Sequence, residues 1–278
     1  TVWNRATLLA QVVDVIGGSG NDSLSGRNGG PNALYGKDGN DTLYGGDGAD
    51  RLDGENGDDR LYGGAGNDVL IGGIGNNVLD GGSGADEVSY AAATASVSLA
   101  NTAAQITGGA GTDTLVGIEN LTGSQFNDTL TGSALANVLG GGAGNDTLSG
   151  GLGNDTYRFA RGGGADLVID SDATAGNTDL AQFAAGIAAD QLWFSHLGND
   201  LQVSLIGTPD TLTIQNWYAG AASHVEQFRT ADNKLLLDSQ VEALVQAMAA
   251  FAPPSAGPTS LPPAYLEALA PVLAANWQ

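Results

Sequence analysis

A nine-residue pattern recurs along the first half of the chain and constrains the fold more than any other feature. Each unit opens with a glycine-rich turn, carries an acidic residue at position six and ends in x-Leu-x, as in "GGAGNDVLI" (63–71). Eight units run from Gly17 to Ser89, and a second block runs from Gly108 to Arg158. Glycine costs roughly 0.5–1 kcal/mol relative to alanine inside a regular element, so this repetition indicates recurring turns.

The apolar residue at position eight predicts a minimal strand in every unit. It lies between two polar neighbours, so it points to one face of the strand while they point to the other. No single unit can bury this side chain, and only stacking of successive units makes a core. The predicted core column comprises Leu24, Leu34, Leu43, Leu52, Leu61, Leu70, Leu79, Val88, Leu115, Leu130, Leu139, Leu148 and Tyr157.

A core one leucine thick needs a further stabilising interaction. Each buried leucine contributes about 1.5–3 kcal/mol, against about 1–2 kcal/mol of backbone entropy for every ordered residue. Aspartates that stack close together repel one another unless a divalent cation lies between them. With carboxylate and carbonyl oxygens, no cysteine and two histidines, the chemistry favours calcium. The alternative is that aspartate and asparagine act here only as turn formers.

The pattern GGxGxDxUx, with U a large apolar residue, resembles the calcium-binding nonapeptide of repeats-in-toxin (RTX) proteins. The resemblance implies an all-β fold: a parallel β-roll with two nonapeptides per coil, in two blocks, capped by a small antiparallel β region with a short C-terminal helix. It also implies several Ca²⁺ ions, each held between one turn and the equivalent turn one coil later. The implied carboxylate ligands are Asp22, Asp41, Asp50, Asp59, Asp68, Asp86, Asp113, Asp128, Asp146 and Asp155. The implied carbonyl donors are Gly18, Gly20, Gly46, Gly48, Gly64, Gly66, Gly82, Gly84, Gly142, Gly144, Gly151 and Gly153.

Several units depart from this pattern. Asn32, Asn77 and Asn137 stand where the pattern has aspartate, Phe126 replaces a turn glycine, and the unit 26–35 has one residue too many. We expect these turns to bind calcium weakly or not at all.

The charge of the chain restricts its partners. Thirty-one acidic residues against nine basic ones give a formal net charge of -22, which disfavours binding to nucleic acid and to anionic lipid. No run of 18 apolar residues exists, so no membrane-spanning segment is expected. The sequence starts with Thr1 and not with methionine, so we expect a piece of a longer protein.

The composition changes after Phe159, where glycine becomes rarer and aromatic residues appear. Segments 192–196, 200–207, 210–218, 224–229 and 233–238 predict five short strands separated by turns. This part resembles the haemolysin-type calcium-binding related region and is expected to cap the last coil. Asp166, Asp170 and Asp172 at the junction form a candidate last calcium site.

The C-terminal end predicts a helix, a linker and a tail. Ser239 and Glu242 have capping-box spacing, and the apolar period predicts a helix from about 240 to 250. A proline-rich tract follows and is expected to be extended and mobile. The last 15 residues are either a docked helix or, as the RTX resemblance implies, a type I secretion signal. The predicted boundaries are 1–16 lead-in, 17–89 first block, 90–107 spacer, 108–158 second block, 159–251 cap and 252–278 linker with tail.

No catalytic motif is present in this sequence, and we expect no enzymatic activity from it. His196 and His224 are isolated, and Trp193, Trp217 and Tyr218 are expected to pack within the cap. The resemblance implies a monomeric calcium-binding module of a protein secreted by a Gram-negative bacterium. It would fold on calcium binding outside the cell and engage the type I secretion machinery. The alternatives are an adhesive β-roll that binds a cell surface or polysaccharide, and the non-catalytic tail of a secreted protease or lipase.

Overall fold

The computed structural model describes residues 12–91, 94–254 and 257–278. Most of the predicted lead-in 1–16 therefore lies outside the described residues. The chain divides into two compact units, one ending at Gln125 and the other running from Phe126 to Gln278. This division falls inside the predicted second block.

The first unit consists of short strands that alternate with glycine-rich turns. Within the repeats, each strand covers the x-Leu-x end of a unit, because this is where apolar and polar residues alternate. The strands are β1 (Val13–Ile16), β2 (Ser23–Ser25), β3 (Asn32–Asp38), β4 (Thr42–Asp47), β5 (Arg51–Asn56), β6 (Arg60–Ala65), β7 (Val69–Ile71), β8 (Val78–Ser83), β9 (Glu87–Ser89), β10 (Ser96–Ser98), β11 (Gln105–Ile106), β12 (Thr112–Val116) and β13 (Asn120–Thr122).

Successive strands of the first unit go to two different sheets. In one sheet β1, β3, β5, β7, β9 and β13 pair in that order, all parallel. In the other, β2, β4, β6, β8 and β12 are parallel, and β11 pairs antiparallel with β12. Leu34 pairs with Leu52 and Leu43 with Leu61, a step of two nonapeptides. The predicted parallel coils of two nonapeptides are confirmed.

The second unit continues this arrangement and then changes it. Its strands are β14 (Thr129–Thr131), β15 (Val138–Gly140), β16 (Thr147–Ser149), β17 (Thr156–Phe159), β18 (Ala165–Val168), β19 (Leu180–Phe183), β20 (Leu192–Leu197), β21 (Asp200–Leu205), β22 (Thr211–Ile214), β23 (Gln227–Arg229) and β24 (Leu235–Leu237). The five strands predicted after residue 190 are β20 to β24.

Parallel pairing in the second unit extends beyond residue 158, where the predicted block ends. One sheet contains β14, β16, β18 and β22 in parallel, followed by β21 and β20 in antiparallel order. The other contains β15, β17, β19 and β23 in parallel, with β24 antiparallel at its edge. The nine-residue pattern does not extend to β18 and β19, because the pairing steps from β16 to β18 and from β17 to β19 are 20 and 24 residues instead of 18.

The leucine column is buried as predicted. Leu34, Leu43, Leu52, Leu61, Leu70, Leu79 and Val88 have no exposed surface in the first unit. In the second unit Leu130, Leu139, Leu148 and Tyr157 are at most 1% exposed. Leu24, in the first turn-and-strand unit, is only half-buried.

Two helices follow the last strand, α1 (Asp238–Met248) and α2 (Pro263–Asn276). Helix α1 begins two residues before the predicted start. The N–H of Leu237 donates to Gln240 Oε1 (3.0 Å), so Ser239 lies inside the first turn and is not the capping residue. Short 3₁₀ turns cover Gly108–Ala110, Ala189–Gln191, Trp217–Ala219 and Ala221–Ser223. No helix among the described residues is long and apolar enough to cross a membrane.

The tail is a docked helix in this structure. Leu269, Leu273 and Trp277 are buried, and Leu235 and Gln278 exchange backbone hydrogen bonds of 2.8 and 3.0 Å. Thr259, in the described part of the proline-rich tract, contacts the cap: its carbonyl oxygen accepts a hydrogen bond from Gln191 Nε2 (3.0 Å). Trp193 and Trp217 are buried in the cap, as predicted.

The buried leucine column predicts that two nearby leucines of the second unit contribute very differently to the free energy of unfolding. Leu148 is 1% exposed, whereas Leu152 in the next turn is 51% exposed. We expect L148A to lower the free energy of unfolding by about 2–5 kcal/mol, because it leaves a cavity. The matched control L152A should change it by less than about 0.5 kcal/mol. Denaturant unfolding in saturating calcium measures both, and equal losses would contradict the stacked core.

Candidate metal centre

The position-six carboxylates form a hydrogen-bonded ladder along each turn edge, here called the carboxylate ladder. In most rungs, one carboxylate oxygen accepts the backbone N–H of the position-six residue one coil earlier; for the N–H of Asp59 the acceptor is the amide oxygen of Asn77 (3.0 Å). Asp41 Oδ1 accepts from Asp22 (2.7 Å), and Asp59 Oδ1 accepts from Asp41 (2.8 Å). The other rungs of the first unit are Asp50 from Asn32 (2.7 Å), Asp68 from Asp50 (2.8 Å), Asp86 from Asp68 (2.8 Å) and Asp113 from Asn77 (2.9 Å).

The ladder also runs through the second unit. Asp146 Oδ1 accepts from Asp128 (2.8 Å) and Asp155 Oδ1 from Asn137 (2.7 Å). It then passes beyond the repeat frame, because Asp166 accepts from Asp146 (3.0 Å) and Asp179 from Asp155 (2.6 Å). Glu226 closes this edge by accepting the N–H of Asp179 (2.7 Å).

The second carboxylate oxygen is left without a partner in many rungs. Among the residues that the structure describes, six Oδ2 atoms are buried and accept no hydrogen bond, those of Asp41, Asp50, Asp59, Asp68, Asp86 and Asp146. These six residues are at most 2% exposed. A buried acceptor without a donor costs about 1–3 kcal/mol, and more when it is charged. The arrangement therefore lacks positive charge at every one of these turns.

Backbone oxygens converge on the same places. A Cβ built on Gly45, the first residue of its turn, would lie 2.6 Å from Asp50 Oδ2 and 2.5 Å from the carbonyl oxygen of Gly63. The carbonyl of Gly63 comes from the turn one coil later. The space left by the glycine is therefore lined by a carboxylate oxygen and a carbonyl oxygen. These position-one carbonyls were not among the predicted donors.

Glycines at positions two and four bring neighbouring turns into contact. Gly64 and Gly66 have φ of +109° and +131°, and a Cβ on either would overlap the carbonyl oxygen of Gly46 or Gly48 one coil earlier. Ten of the twelve predicted glycine donors share this left-handed conformation, namely Gly46, Gly48, Gly64, Gly66, Gly82, Gly84, Gly142, Gly144, Gly151 and Gly153. Gly18 and Gly20 do not.

Burial raises the pKa of the ladder carboxylates. The pKa of Asp59, Asp68 and Asp146 rises to about 6, mainly because burial disfavours the charged form. The pKa of Asp155 rises to about 7 from burial and from the nearby charges of Asp179 and Asp172. A group that must be charged at neutral pH in such surroundings needs a cation beside it.

Asn32 illustrates what these turns lack. Its Nδ2 lies close to four oxygens: the carbonyls of Arg27 (3.0 Å), Gly30 (3.0 Å) and Gly45 (3.3 Å), and Asp50 Oδ1 (2.8 Å). The partly positive amide group thus occupies a place where aspartate would bring a further oxygen. This explains physically why an asparagine turn is expected to bind calcium weakly. At Asn77 the Nδ2 has no partner among the described residues.

Two predicted ligands differ from the others. Asp113 Oδ2 accepts a hydrogen bond from the Thr107 hydroxyl (3.2 Å), so this oxygen is not free as it is in the neighbouring rungs. Asp22 is half-buried, and its Oδ2 accepts the N–H of Gly18 (2.6 Å) within its own turn. Asp128 is buried like the rest of the ladder.

Four residues of the carboxylate ladder do not belong to a regular nine-residue unit: Glu119, Asp166, Asp179 and Glu226. Glu119 accepts the N–H of Asp86 (2.9 Å) from a shortened unit, where the longer glutamate side chain reaches the rung. Asp166 was predicted as a candidate at the junction; its coil step from Asp146 is 20 residues instead of 18, so the nine-residue pattern does not contain it. No comparable repeat motif surrounds Asp179 or Glu226. Asp170, another junction residue, has its pKa raised to about 8 by burial and by Asp179.

Position five adds a second, exposed ladder. Asn40 Oδ1 accepts the N–H of Asp58 one coil later (3.0 Å), and Asn127 Oδ1 accepts that of Asn145 (2.8 Å). These bonds run in the opposite direction to the carboxylate ladder. Repeat asparagines therefore tie the outer side of the turns together.

The donor set fits a hard cation. No three acidic or histidine side chains in the described part of the chain converge into a metal-binding group. The available oxygens instead come from carboxylates of the turns and from backbone carbonyls, which are ligand types that calcium accepts. The orphaned Oδ2 atoms and the oxygen-lined glycine positions are where such an ion fits.

Asn32 generates a direct prediction. Replacing it by aspartate removes the amide donor and adds a carboxylate oxygen to a turn already lined by carbonyls. We expect N32D to bind one calcium ion more per chain than the wild type in equilibrium dialysis. The control N101D makes the same charge change at an exposed spacer residue and should leave the number unchanged. An unchanged count for N32D would contradict this interpretation of the turn.

Comparisons with protein families agree with the repeat frame. The model of the RTX calcium-binding nonapeptide repeat (4 copies) matches residues 14–30, 28–61, 53–88, 105–117 and 120–157. The model of the haemolysin-type calcium binding protein related domain matches residues 200–240. Both families are described by calcium binding, and neither is a catalytic domain.

Individual relatives share only part of their length with this chain. The iron-regulated protein FrpA of Neisseria meningitidis serogroup C is 36% identical over 93 residues, which is 32% of this chain and 8% of that protein. The extracellular lipase LipA from Serratia marcescens is 20% identical, with a TM-score of 0.26 over 67% of this chain and 38% of the lipase. The repeat and the C-terminal domain together identify the chain as a member of the RTX family of calcium-binding proteins.

Proposed function

We propose that this chain is a calcium-responsive folding module of a larger exported protein. It stays expanded where calcium is scarce and folds where calcium is abundant. The observation that carries the proposal is the set of six buried Oδ2 atoms without hydrogen-bond donors. Such a ladder is unfavourable as a bare set of charges, so its stability depends on an added cation.

The proposed ligands are carboxylate and carbonyl oxygens of neighbouring turns. The carboxylates are those of Asp22, Asp41, Asp50, Asp59, Asp68, Asp86, Asp113, Asp128, Asp146 and Asp155, with glycine carbonyls from positions one, two and four. Of these, Asp22 and Asp113 have the weakest claims, because Gly18 and Thr107 already donate hydrogen bonds to their Oδ2 atoms. The ion supplies the positive charge that offsets repulsion within the ladder. The chain supplies the spacing of the turns and excludes water from the inner oxygens.

Calcium concentration decides which state is favoured. Extracellular modules bind calcium with dissociation constants of about 10⁻⁴–10⁻³ M, whereas cytosolic sensors work near 10⁻⁷–10⁻⁵ M. A site filled at ten times its dissociation constant adds about 1.4 kcal/mol to the folded state. Several sites of the extracellular class would be empty inside a cell and filled outside. Their summed contribution is large relative to the stability of a typical domain.

This dependence suits export of an unfolded chain. With a net charge of -22, the calcium-free chain is kept expanded by its own repulsion. We infer that it passes a type I exporter unfolded and folds on the outer side. Helix α2 is the segment that we assign to recognition by the exporter. It packs against the cap only in the folded state, so docking and recognition occur at different stages.

A surface-binding role is the second candidate. Tyr44 and Tyr62 stack at 5.1 Å with an interplanar angle of 9°, and Tyr44 is 45% exposed. Tyr35, which has the same position nine in its repeat unit, lies in the other sheet and is not part of this stack. Two stacked rings favour a neutral ligand such as a polysaccharide, but they occupy a small part of the surface.

The proposed function predicts a calcium-specific transition. We expect the far-ultraviolet circular dichroism of the chelated chain to gain strand signal as calcium is added. An equal concentration of magnesium should add much less signal, because Mg²⁺ requires nearly octahedral coordination and gives up its water reluctantly. The double variant D59N/D68N should need more calcium than the wild type. D190N, at an exposed site, should behave as the wild type. Full strand signal in chelator would contradict the proposal.

Export should depend on the same transition. We expect the parent protein to leave secreting cells more slowly when extracellular calcium is chelated. A variant with asparagine at Asp41, Asp50, Asp59, Asp68, Asp86 and Asp146 should leave slowly at any calcium concentration. Export rates that respond to calcium equally in this variant and in the wild type would show that ladder folding does not assist export.

A further inference from the structure

A cleft on the first unit contains none of the proposed carboxylate ligands. It has a volume of about 490 Å³ and lies beside the ends of β5, β7 and β9. Its polar side is formed by Arg51, Asp53 and Glu55, and its apolar side by Ile71, Ile74 and Tyr90. We propose that this cleft binds a neutral saccharide. The hydroxyl groups of the sugar contact the polar side, and its C–H groups pack on the apolar side.

The cleft lies where the repeat is interrupted. Tyr90 follows β9 at the place of a position-one glycine, and its N–H donates to the Thr122 carbonyl oxygen (2.8 Å). The chain then leaves the nine-residue frame and returns in the turn 108–113, where the Ala110 carbonyl oxygen accepts the N–H of Gly75 (2.8 Å). Tyr90 and Ala110 both line the cleft. Its volume is within the range of about 300–1,000 Å³ that is typical of small-molecule sites.

The charged groups of the cleft are paired, which favours a neutral ligand. Arg51 Nη2 lies 3.2 Å from Asp53 Oδ2, and Lys37 Nζ lies 2.6 Å from Glu55 Oε1. These four groups have no net charge, in a chain whose formal net charge is -22. Each ion pair uses one carboxylate oxygen, and a carboxylate has about four acceptor positions. Both carboxylates can therefore accept further hydrogen bonds from the hydroxyl groups of a sugar.

Apolar side chains lie directly beside these acceptors. Ile71 pairs with Asp53 across β7 and β5, so the two side chains are neighbours on the outer face of the sheet. Ile74 is 65% exposed, and its N–H donates to the Glu55 carbonyl oxygen (2.7 Å). A mostly apolar lining with a few fixed polar groups is typical of small-molecule sites. A sugar ring matches it, because its hydroxyl groups project from the edge and its C–H groups form the faces.

The backbone of Glu55 is strained at this place. Its φ is +67°, in the left-handed region that disfavours residues with a side chain. The equivalent residue one coil later is Gly73, with φ of +83°. A Cβ on Gly73 would overlap the Glu55 carbonyl oxygen, so the glycine keeps the space beside Glu55 open. Strained residues cluster at binding sites, and here the strained residue brings a carboxylate to the cleft.

This inference goes beyond the proposed function, because it assigns a ligand other than calcium. The site is also distinct from the stacked Tyr44 and Tyr62, since these rings belong to β4 and β6 of the other sheet. The cleft is formed by the folded first unit. Sugar binding is therefore measured in saturating calcium.

Methyl NMR of the isoleucine-labelled chain tests the site directly. The probes are maltose, cellobiose and lactose, each added up to tens of millimolar. We expect the methyl signals of Ile71 and Ile74 to shift in a saturable manner with at least one of these sugars. The signal of Ile106, which is 76% exposed but does not line the cleft, should not shift.

Two variants identify the binding groups. D53N keeps the shape of the side chain but removes the charge that pairs with Arg51, and we expect it to weaken sugar binding at least tenfold. I74A removes an exposed apolar contact and should weaken binding severalfold, with Ile71 as the reporter. If D53N does not fold, I74A decides the outcome. The matched control D190N, at an exposed site, should bind as the wild type does.

Two results would overturn the proposed cleft. One is that the Ile71 and Ile74 signals do not respond to any of the three sugars, although the chain is folded in calcium. The other is that Y62A abolishes sugar binding while D53N and I74A bind as the wild type does, which would place the sugar on the tyrosine stack. Both results leave the calcium-responsive folding role intact.

Discussion

The structure depends on one repeated hydrogen bond, from the backbone N–H of a position-six residue to the carboxylate of the next coil. These bonds, between 2.6 and 3.0 Å for the aspartate rungs, fix each turn relative to its neighbour. They use only one oxygen of each carboxylate. In six rungs the other oxygen is buried and has no hydrogen-bond donor among the described residues. The geometry that holds the coils together is therefore also what creates the demand for a cation.

The leucine column and the ladder make different contributions. The leucines are buried, but a single column is thin, and apolar burial alone has to offset the entropy of many glycines. The ladder supplies spacing and direction, but its charge opposes folding when no cation is present. Each depends on the other, since the turns align the leucines and the leucine strands hold the turns one coil apart. Under the proposed function, a bound cation links them by changing the sign of the electrostatic contribution.

Regular parts of this architecture could be predicted from the sequence, because a constant step of two nonapeptides gives every turn the same neighbours. The leucine strands and the aspartate positions followed from this step, whereas the end strands were predicted from turn signals between apolar segments. Glu119 did not follow from it, because its unit is shorter than nine residues, and Asp166 was predicted only from its place at the junction, because its coil step is 20 residues and not 18. The carbonyls of position one and the amide of Asn32 depend on the direction of backbone and side-chain groups, which residue spacing does not specify. The docked tail depends on contacts with the cap that are remote in sequence.

Hydrogen–deuterium exchange tests the central claim most directly, because the ladder amides are themselves the donors in question. The account predicts that segments containing the N–H groups of Asp41, Asp50, Asp59 and Asp68 exchange slowly in calcium and rapidly in chelator. The exposed spacer around Asn101 should exchange rapidly in both. Equal protection of the ladder segments with and without calcium would contradict the claim that a cation completes the carboxylate ladder.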